Sequence, residues 1–146
     1  MAGMRPHHAL WWALGSAVLM VIGSFGPWAK IFVFSANGTD GDGWIVIFAA
    51  LAAAGALWRY WFVRTRVWLV IAFLGGVAGV ATTVIDRINL QDVIDRSPFG
   101  GLLRPGWGIY AAMLGSASLC AAVAALWVLR AEPTAATPAP SPPAQP

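Results

Sequence analysis

Two aspartates in one short polar stretch are the residues of this sequence best suited to chemistry. Residues 35–44, SANGTDGDGW, place Asp40 and Asp42 among three glycines, with apolar segments on both sides. The calcium-loop pattern D-x-[DN]-x-[DN]-G fits both aspartates and the glycine that follows them. It fails at its first position, Gly38, and at its twelfth, Ala49, where a Glu should supply two oxygens. The stretch is therefore interpreted as a solvated turn, with a weakly held cation as the alternative.

Other reactive side chains do not accompany these aspartates. His7 and His8 precede the first apolar segment and are expected on the opposite side of the protein. Cys120 lies inside an apolar run and, as the single cysteine, has no internal disulfide partner. Catalysis by acid–base or nucleophilic chemistry needs such groups together. We therefore predict no catalytic residues, no cofactor and no enzymatic activity.

The composition indicates a membrane environment for the elements that carry these residues. Of the 146 residues, 59% are hydrophobic and only 10% are charged, whereas soluble domains carry about 25% charged residues. A small domain with so few charges cannot cover its surface for water. The formal charge is +3, but the basic residues form no stripe, so a nucleic-acid partner is not expected.

Four apolar stretches are long enough to cross a bilayer, which takes about 20 residues. Each is flanked by charge or by Pro and Gly, and none has a charge near its centre. An ion or proton pathway usually needs ionisable groups at that depth, so a transporter is disfavoured. The predicted fold is an all-α transmembrane bundle of four helices, with spans at 9–28, 44–63, 67–85 and 107–129.

The tryptophans support these spans independently. All nine fall near the predicted span ends, where an indole ring buries its face and keeps its N–H in a polar layer. The expected interfacial anchors are Trp11, Trp28, Trp44, Trp61, Trp68, Trp107 and Trp127.

Arginines around the shortest connection predict the orientation. Arg59, Arg64 and Arg66 lie within eight residues, and positive charge near short loops is retained in the cytoplasm. Both termini are therefore expected in the cytoplasm, with residues 1–8 as a cytoplasmic segment before the first span. A signal peptide cleaved after Ser35 is the alternative, although the apolar run exceeds a usual signal core.

Small residues recur at helical spacing inside the spans. Gly75 and Gly79 form a G-x-x-x-G pair in the third span, and Ala111 and Gly115 have the same spacing in the fourth. Such ridges let helix backbones approach closely. They predict packing, either within one subunit or between subunits.

The two outer loops are expected to lie together at the outer ends of the helices. The apolar run 31–34 and the turn signal Asn37-Gly38 predict a short hairpin-like cap. The third helix should project beyond the membrane with an Asp92–Arg96 pair and stop near residue 97. Together the loops could form a partner-docking surface. The Pro-rich segment 131–146 should be a disordered tail.

The motifs GSFGPW, NGTDGDGW and PGWGIY follow one another along the chain. Over residues 9–130 the sequence resembles small four-span bacterial membrane proteins of uncharacterised function, in which Pro-Trp ends the first helix and a Gly/Asp-rich loop precedes the second. The resemblance implies a plasma-membrane location and no particular activity. Some of those proteins carry an N-terminal zinc ribbon, but this chain lacks the Cys pair.

These observations favour an accessory or scaffold subunit of a membrane complex. Its expected partners are the lipid bilayer and either another membrane protein or further copies of itself. A small oligomeric channel or transporter, with Asp40 and Asp42 at its mouth, is the first alternative. A lipid-active membrane enzyme is the second.

Overall fold

Four long helices carry most of the chain in the computed structural model, which describes residues 6–31, 34–98 and 102–131. Each helix is long and apolar enough to cross a membrane, which supports a multi-pass membrane protein. Residues 132–146 of the predicted tail and residues 1–5 of the N-terminal segment lie outside the described residues, while Ala131 is the last residue of a helix. The helices are α1, Pro6–Phe25; α2, Gly43–Val63; α3, Arg66–Arg96; and α4, Trp107–Ala131.

The ends of α1 and α2 follow from single residues. The prediction that the first span runs to Trp28 is wrong, because α1 ends at Phe25, ahead of Gly26 and Pro27. Pro disfavours helical backbone in the residue before it and has no N–H to continue the ladder. Helix α2 ends at Val63. The next residue, Arg64, still donates its N–H to the Tyr60 carbonyl at 3.0 Å, and its left-handed φ of 55° turns the chain away from the helix.

Helix α3 is longer than a membrane span requires. Its 31 residues span about 46 Å at 1.5 Å per residue, well above the roughly 30 Å of hydrocarbon. The outer part carries exposed polar pairs at helical spacing: Arg87 bonds Gln91 at 2.9 Å, and Gln91 bonds Asp95 at 3.0 Å. The predicted Asp92–Arg96 pair is present at 2.9 Å.

Helices α1 and α3 each pack against both α2 and α4, so each helix has two main neighbours in the bundle. The predicted small-residue ridges make these contacts within the subunit. A Cβ on Gly75 would lie 2.8 Å from the Ala49 carbonyl of α2, and one on Gly115 would lie 2.8 Å from the backbone N of Met20 in α1. A Cβ on Gly79 would clash with Ser116, and Ala111 is half-buried.

The interior between the helices is filled. Its largest fully buried side chains come from all four helices: Met20, Leu57, Leu69, Ile109 and Leu119. Four buried hydroxyls donate to the carbonyl four residues earlier, which satisfies them inside an apolar core. They are Ser16, Ser24, Thr83 and Ser116, at 2.9, 2.9, 2.8 and 2.7 Å.

A three-stranded antiparallel sheet covers the outer ends of the helices. Its strands are β1, Pro27–Ile31; β2, Phe34–Asn37; and β3, Leu103–Pro105, in the order β2-β1-β3. The predicted hairpin is confirmed as β1 and β2. The third strand comes from the other outer loop, so the all-α expectation holds for the spanning part only.

The position of the predicted hairpin turn is wrong. In the register of β1 and β2, Ile31 pairs with Phe34, so the strands meet at that end. Asn37 is the last residue of β2, and Gly38 begins a short 3₁₀ helix, Gly38–Asp40, that leads into α2. The Asn-Gly signal therefore marks the exit from the sheet.

Candidate functional site

Trp28 fixes the outer sheet to the helices. Between β1 and β2 the register shifts after Pro27, which leaves Trp28 without a partner on β2. A bulge of this kind re-aims a side chain, and Trp28 is only 8% exposed. Its Nε1 donates to the Gly23 carbonyl at 3.0 Å, one of the last carbonyls of α1, which have no partner within the helix. Its own carbonyl accepts from Gly106 at 2.8 Å.

Glycines let the chain close around this tryptophan. A Cβ on Gly38 would lie 2.5 Å from the indole of Trp28, and one on Gly43 would lie 2.5 Å from the Gly38 carbonyl. Both glycines are buried. The interpretation of residues 35–44 as a solvated turn is therefore wrong for these two glycines, which are required by close backbone packing. We call residues 27–31, 34–42 and 102–106 the outer cap.

Asp40 has a structural role within the outer cap. Its Oδ2 accepts a hydrogen bond from the Asn37 backbone N–H at 2.8 Å, which ties the end of β2 to the 3₁₀ helix. The carboxylate is exposed. A side chain that closes a turn in this way explains an aspartate at this position without a ligand.

Asp42 lies beside a second carboxylate, that of Asp86, which is 44 residues further along the chain. Asp42 is the residue before α2, and Asp86 lies on α3, one residue beyond the predicted span. Burial raises the pKa of Asp86 above its ordinary value of 3.8, and repulsion from Asp42 and a side-chain hydrogen bond with Asp42 raise it further. One oxygen of Asp86, Oδ2, is buried and has no hydrogen-bond partner among the described residues. When two carboxyl groups lie close together, the charge on one disfavours ionisation of the other. One of the two therefore keeps its proton to a higher pH than an isolated carboxyl group does.

An open cavity of about 310 Å³ lies beside these carboxyl groups. Trp28 and Ile109 contribute apolar walls, while Asp40, Asp42 and Asp86 contribute polar ones. Within residues 6–31, 34–98 and 102–131, no three His, Cys, Asp or Glu side chains are placed to hold a metal ion. The two aspartates of residues 35–44 thus border a pocket whose third carboxyl group comes from α3.

The outer cap exposes an apolar row on one face of its sheet. Phe34 pairs with Ile31, and Ile31 also pairs with Leu103, so the three side chains point to the same face. Phe34 is 76% exposed and Ile31 is 42% exposed. The opposite face carries the row Ser35, Lys30 and Arg104. The sheet therefore has one apolar and one basic face.

Most of the tryptophans predicted as interfacial anchors have exposed side chains. Trp11, Trp44, Trp61, Trp107 and Trp127 are exposed, and Trp68 is half-buried. Trp28 departs from the expectation because it is buried beneath the outer cap. Another indole also bonds within the protein: Trp12 Nε1 donates to Ser118 Oγ at 2.9 Å, across the contact between α1 and α4.

The predicted topology arginines lie at the end of the helices opposite the outer cap. Arg59, Arg64 and Arg66 are all exposed. The guanidinium of Arg64 lies 5.9 Å from the centre of the Tyr60 ring, and that of Arg66 lies 5.7 Å from the centre of the Trp127 ring. Both distances fall within the range of cation–π attraction.

In comparisons with known proteins, no family model matches this sequence, and neither a curated protein nor a solved structure is significantly similar to it.

Proposed function

We propose that this protein is a non-enzymatic integral membrane protein, an accessory or scaffold subunit that binds a larger membrane partner through its outer cap. The observation that carries the proposal is the apolar row of Ile31, Phe34 and Leu103, in which Ile31 and Phe34 are exposed and Leu103 is half-buried. It lies on a sheet that both outer loops build together. Exposed apolar groups held on a rigid surface are typical of interaction sites.

The outer cap has the rigidity that such a site needs. Strand β1 is bonded on both sides, and Trp28 ties it to α1. A surface that is already ordered loses little conformational entropy on binding. Strand β2 is an edge of the sheet, so its outward N–H and C=O groups are available for a partner strand.

The closed interior also supports a packing role. Backbones approach through glycines at Gly23, Gly75 and Gly115, and Met20 fills the space between α1 and α4. A conduit for ions or solutes through one subunit would need this packing to open. A subunit with a solid interior is better suited to hold or position a neighbour.

An oligomeric channel or transporter is the second candidate, and the acidic pocket favours it. Asp40, Asp42 and Asp86 line one open cavity at the outer end, where carboxyl groups could attract cations toward a path formed between subunits. Reconstituted cation flux that falls with the double substitution Asp40→Asn and Asp42→Asn would support this candidate. Flux that is unchanged in the double variant would remove the pocket from any such path.

The orientation that fits the proposal puts the outer cap outside the cytoplasm and both termini inside, in the plasma membrane of a bacterium. Its support is the group of Arg59, Arg64 and Arg66 at the α2–α3 connection, opposite the outer cap. A partner would then meet the outer cap at the outer surface of the membrane.

Copurification from the membranes of cells that natively express the protein tests the proposed function. Phe34→Glu should lower recovery of the partner about tenfold, since burial of a Phe side chain contributes about 1.5–3 kcal/mol. Ser35→Glu is the matched control, because it adds the same charge on the other face of β2. Equal recovery with both variants, or free monomer alone from the unmodified protein in mild detergent, would refute the proposal.

A further inference from the structure

An apolar groove runs between α3 and α4 near the end that carries the arginines. It is an open cavity of about 410 Å³, and the residues that line it belong to α3 and α4. Its walls expose no polar atom that could hold water in place. The residues that line it are Val70, Phe73, Val123, Ala124, Trp127 and Val128.

A guanidinium lies at the mouth of this groove. Arg66 begins α3, one helical turn before Val70, and its guanidinium lies 5.7 Å from the centre of the Trp127 ring. Trp127 is itself a wall of the groove. A positive charge and a hydrogen-bond donor are therefore held next to an apolar slot, which is the arrangement an amphiphile with an anionic head would match.

The charge distribution of the described residues leaves this end positive. Asp40 and Asp42 precede α2, and the remaining described carboxyl groups lie between residues 86 and 95 of α3, so all of them are at the outer end. Arg59, Arg64 and Arg66 lie at the other end. An anion supplied by the surrounding membrane would complement these arginines.

We propose that this groove binds one anionic phospholipid, with the phosphate on Arg66 and an acyl chain along the groove between α3 and α4. Arg66 provides donors to the phosphate oxygens, and Phe73 and Ala124 contact the chain deeper in the membrane. A choline phospholipid has the same chains and phosphate, but its additional cation is repelled by the arginines. The site should therefore select lipids by net charge.

Native mass spectrometry of the purified full-length protein measures this selectivity. Detergent-solubilised protein is titrated with dioleoyl phosphatidylglycerol or with dioleoyl phosphatidylcholine. One phosphatidylglycerol molecule should bind about fivefold more tightly than phosphatidylcholine, as expected for one arginine near an anionic head. Arg66→Gln should abolish the preference. Arg59→Gln removes the same charge from α2, outside the groove, and should leave it intact.

A second pair of variants tests the groove without a change of charge. Ala124→Leu narrows the slot and should weaken phosphatidylglycerol binding, whereas Ala121→Leu adds the same volume to α4 outside the groove lining and should not. An equal loss in Arg59→Gln and Arg66→Gln would overturn the site in favour of general charge attraction. Unchanged binding in Ala124→Leu, or full displacement of the lipid by soluble glycerol phosphate, would overturn the acyl-chain groove.

Discussion

Gly15 and Gly23 lie on the same helix but have opposite surroundings. A Cβ at Gly15 would meet nothing within 4 Å, whereas one at Gly23 would lie 2.7 Å from the Cα of Ala112 in α4. Backbone atoms cannot move aside as the end of a flexible side chain can. The close approach of α1 to α4 at this point is therefore possible only because Gly23 has no Cβ.

Replacement of these two glycines should separate packing from helix propensity. Gly23→Ala should lower the free energy of unfolding by about 1–3 kcal/mol through overpacking. Gly15→Ala, the control, should leave it unchanged or raise it by up to about 1 kcal/mol, because Ala favours helix. Unfolding by denaturing detergent measures both. Similar losses in the two variants would show that Gly23 is not a backbone contact.

Asp86 should make the stability of the outer cap depend on pH. Because its pKa is raised in the folded protein, the folded state holds a proton that the unfolded chain releases. The free energy of unfolding should therefore fall as the pH rises through the range between the ordinary value of 3.8 and the raised value. Above that range the loss is complete.

Hydrogen exchange of residues 34–43 at several pH values measures this effect. Protection should decline as the pH rises in the unmodified protein, and Asp86→Asn should remove most of the decline. Asp92→Asn provides a control with the same change of charge on the same helix. If protection still declined with rising pH in Asp86→Asn, the pH dependence would arise from groups other than Asp86.

At the level of elements, the spans could be predicted because their signals are local. A run of apolar residues, and a Gly-Pro pair or a charge at its end, can be recognised from neighbouring positions alone. The predicted end of the first span, Trp28, differs from the end of α1, Phe25, by only three residues. The pairing of β1 with β3 has no such signal, because Leu103–Pro105 is three residues long and more than 70 residues from β1. Asp42 and Asp86 likewise meet only through the antiparallel course of α2 and α3.

A cysteine pair tests whether β3 joins the sheet. With Cys120→Ser as background, Lys30→Cys and Arg104→Cys should form a disulfide, because directly opposed strand residues lie within its reach. Lys30→Cys with Leu103→Cys should not, since adjacent residues on β3 point to opposite faces. Gel mobility without reductant distinguishes the two. Equal cross-linking in both pairs would contradict the register.

At the scale of the whole molecule, the chain is polar at both ends of an apolar middle. One end carries the outer cap with its carboxyl groups, and the other carries Arg59, Arg64 and Arg66. Positive charge near a short connection predicts that the arginine end is cytoplasmic. The proposed partner site on the outer cap would then lie outside the cytoplasm.

Labelling of single cysteines in intact cells measures this orientation. In the Cys120→Ser background, a membrane-impermeant maleimide should label Ser35→Cys, in the outer cap, before the cells are broken. Thr65→Cys, at the α2–α3 connection, should react only after lysis. The reverse pattern would place the outer cap and any partner bound to it in the cytoplasm.

Photo-cross-linking from position 34 tests the central claim most directly, because it records what touches the apolar row in the native membrane. A photoreactive phenylalanine derivative at Phe34 should give one protein adduct of defined mass that the same derivative at Ser35 does not give. Adducts at Phe34 that contain only lipid, or identical adducts at both positions, would contradict a partner-binding outer cap.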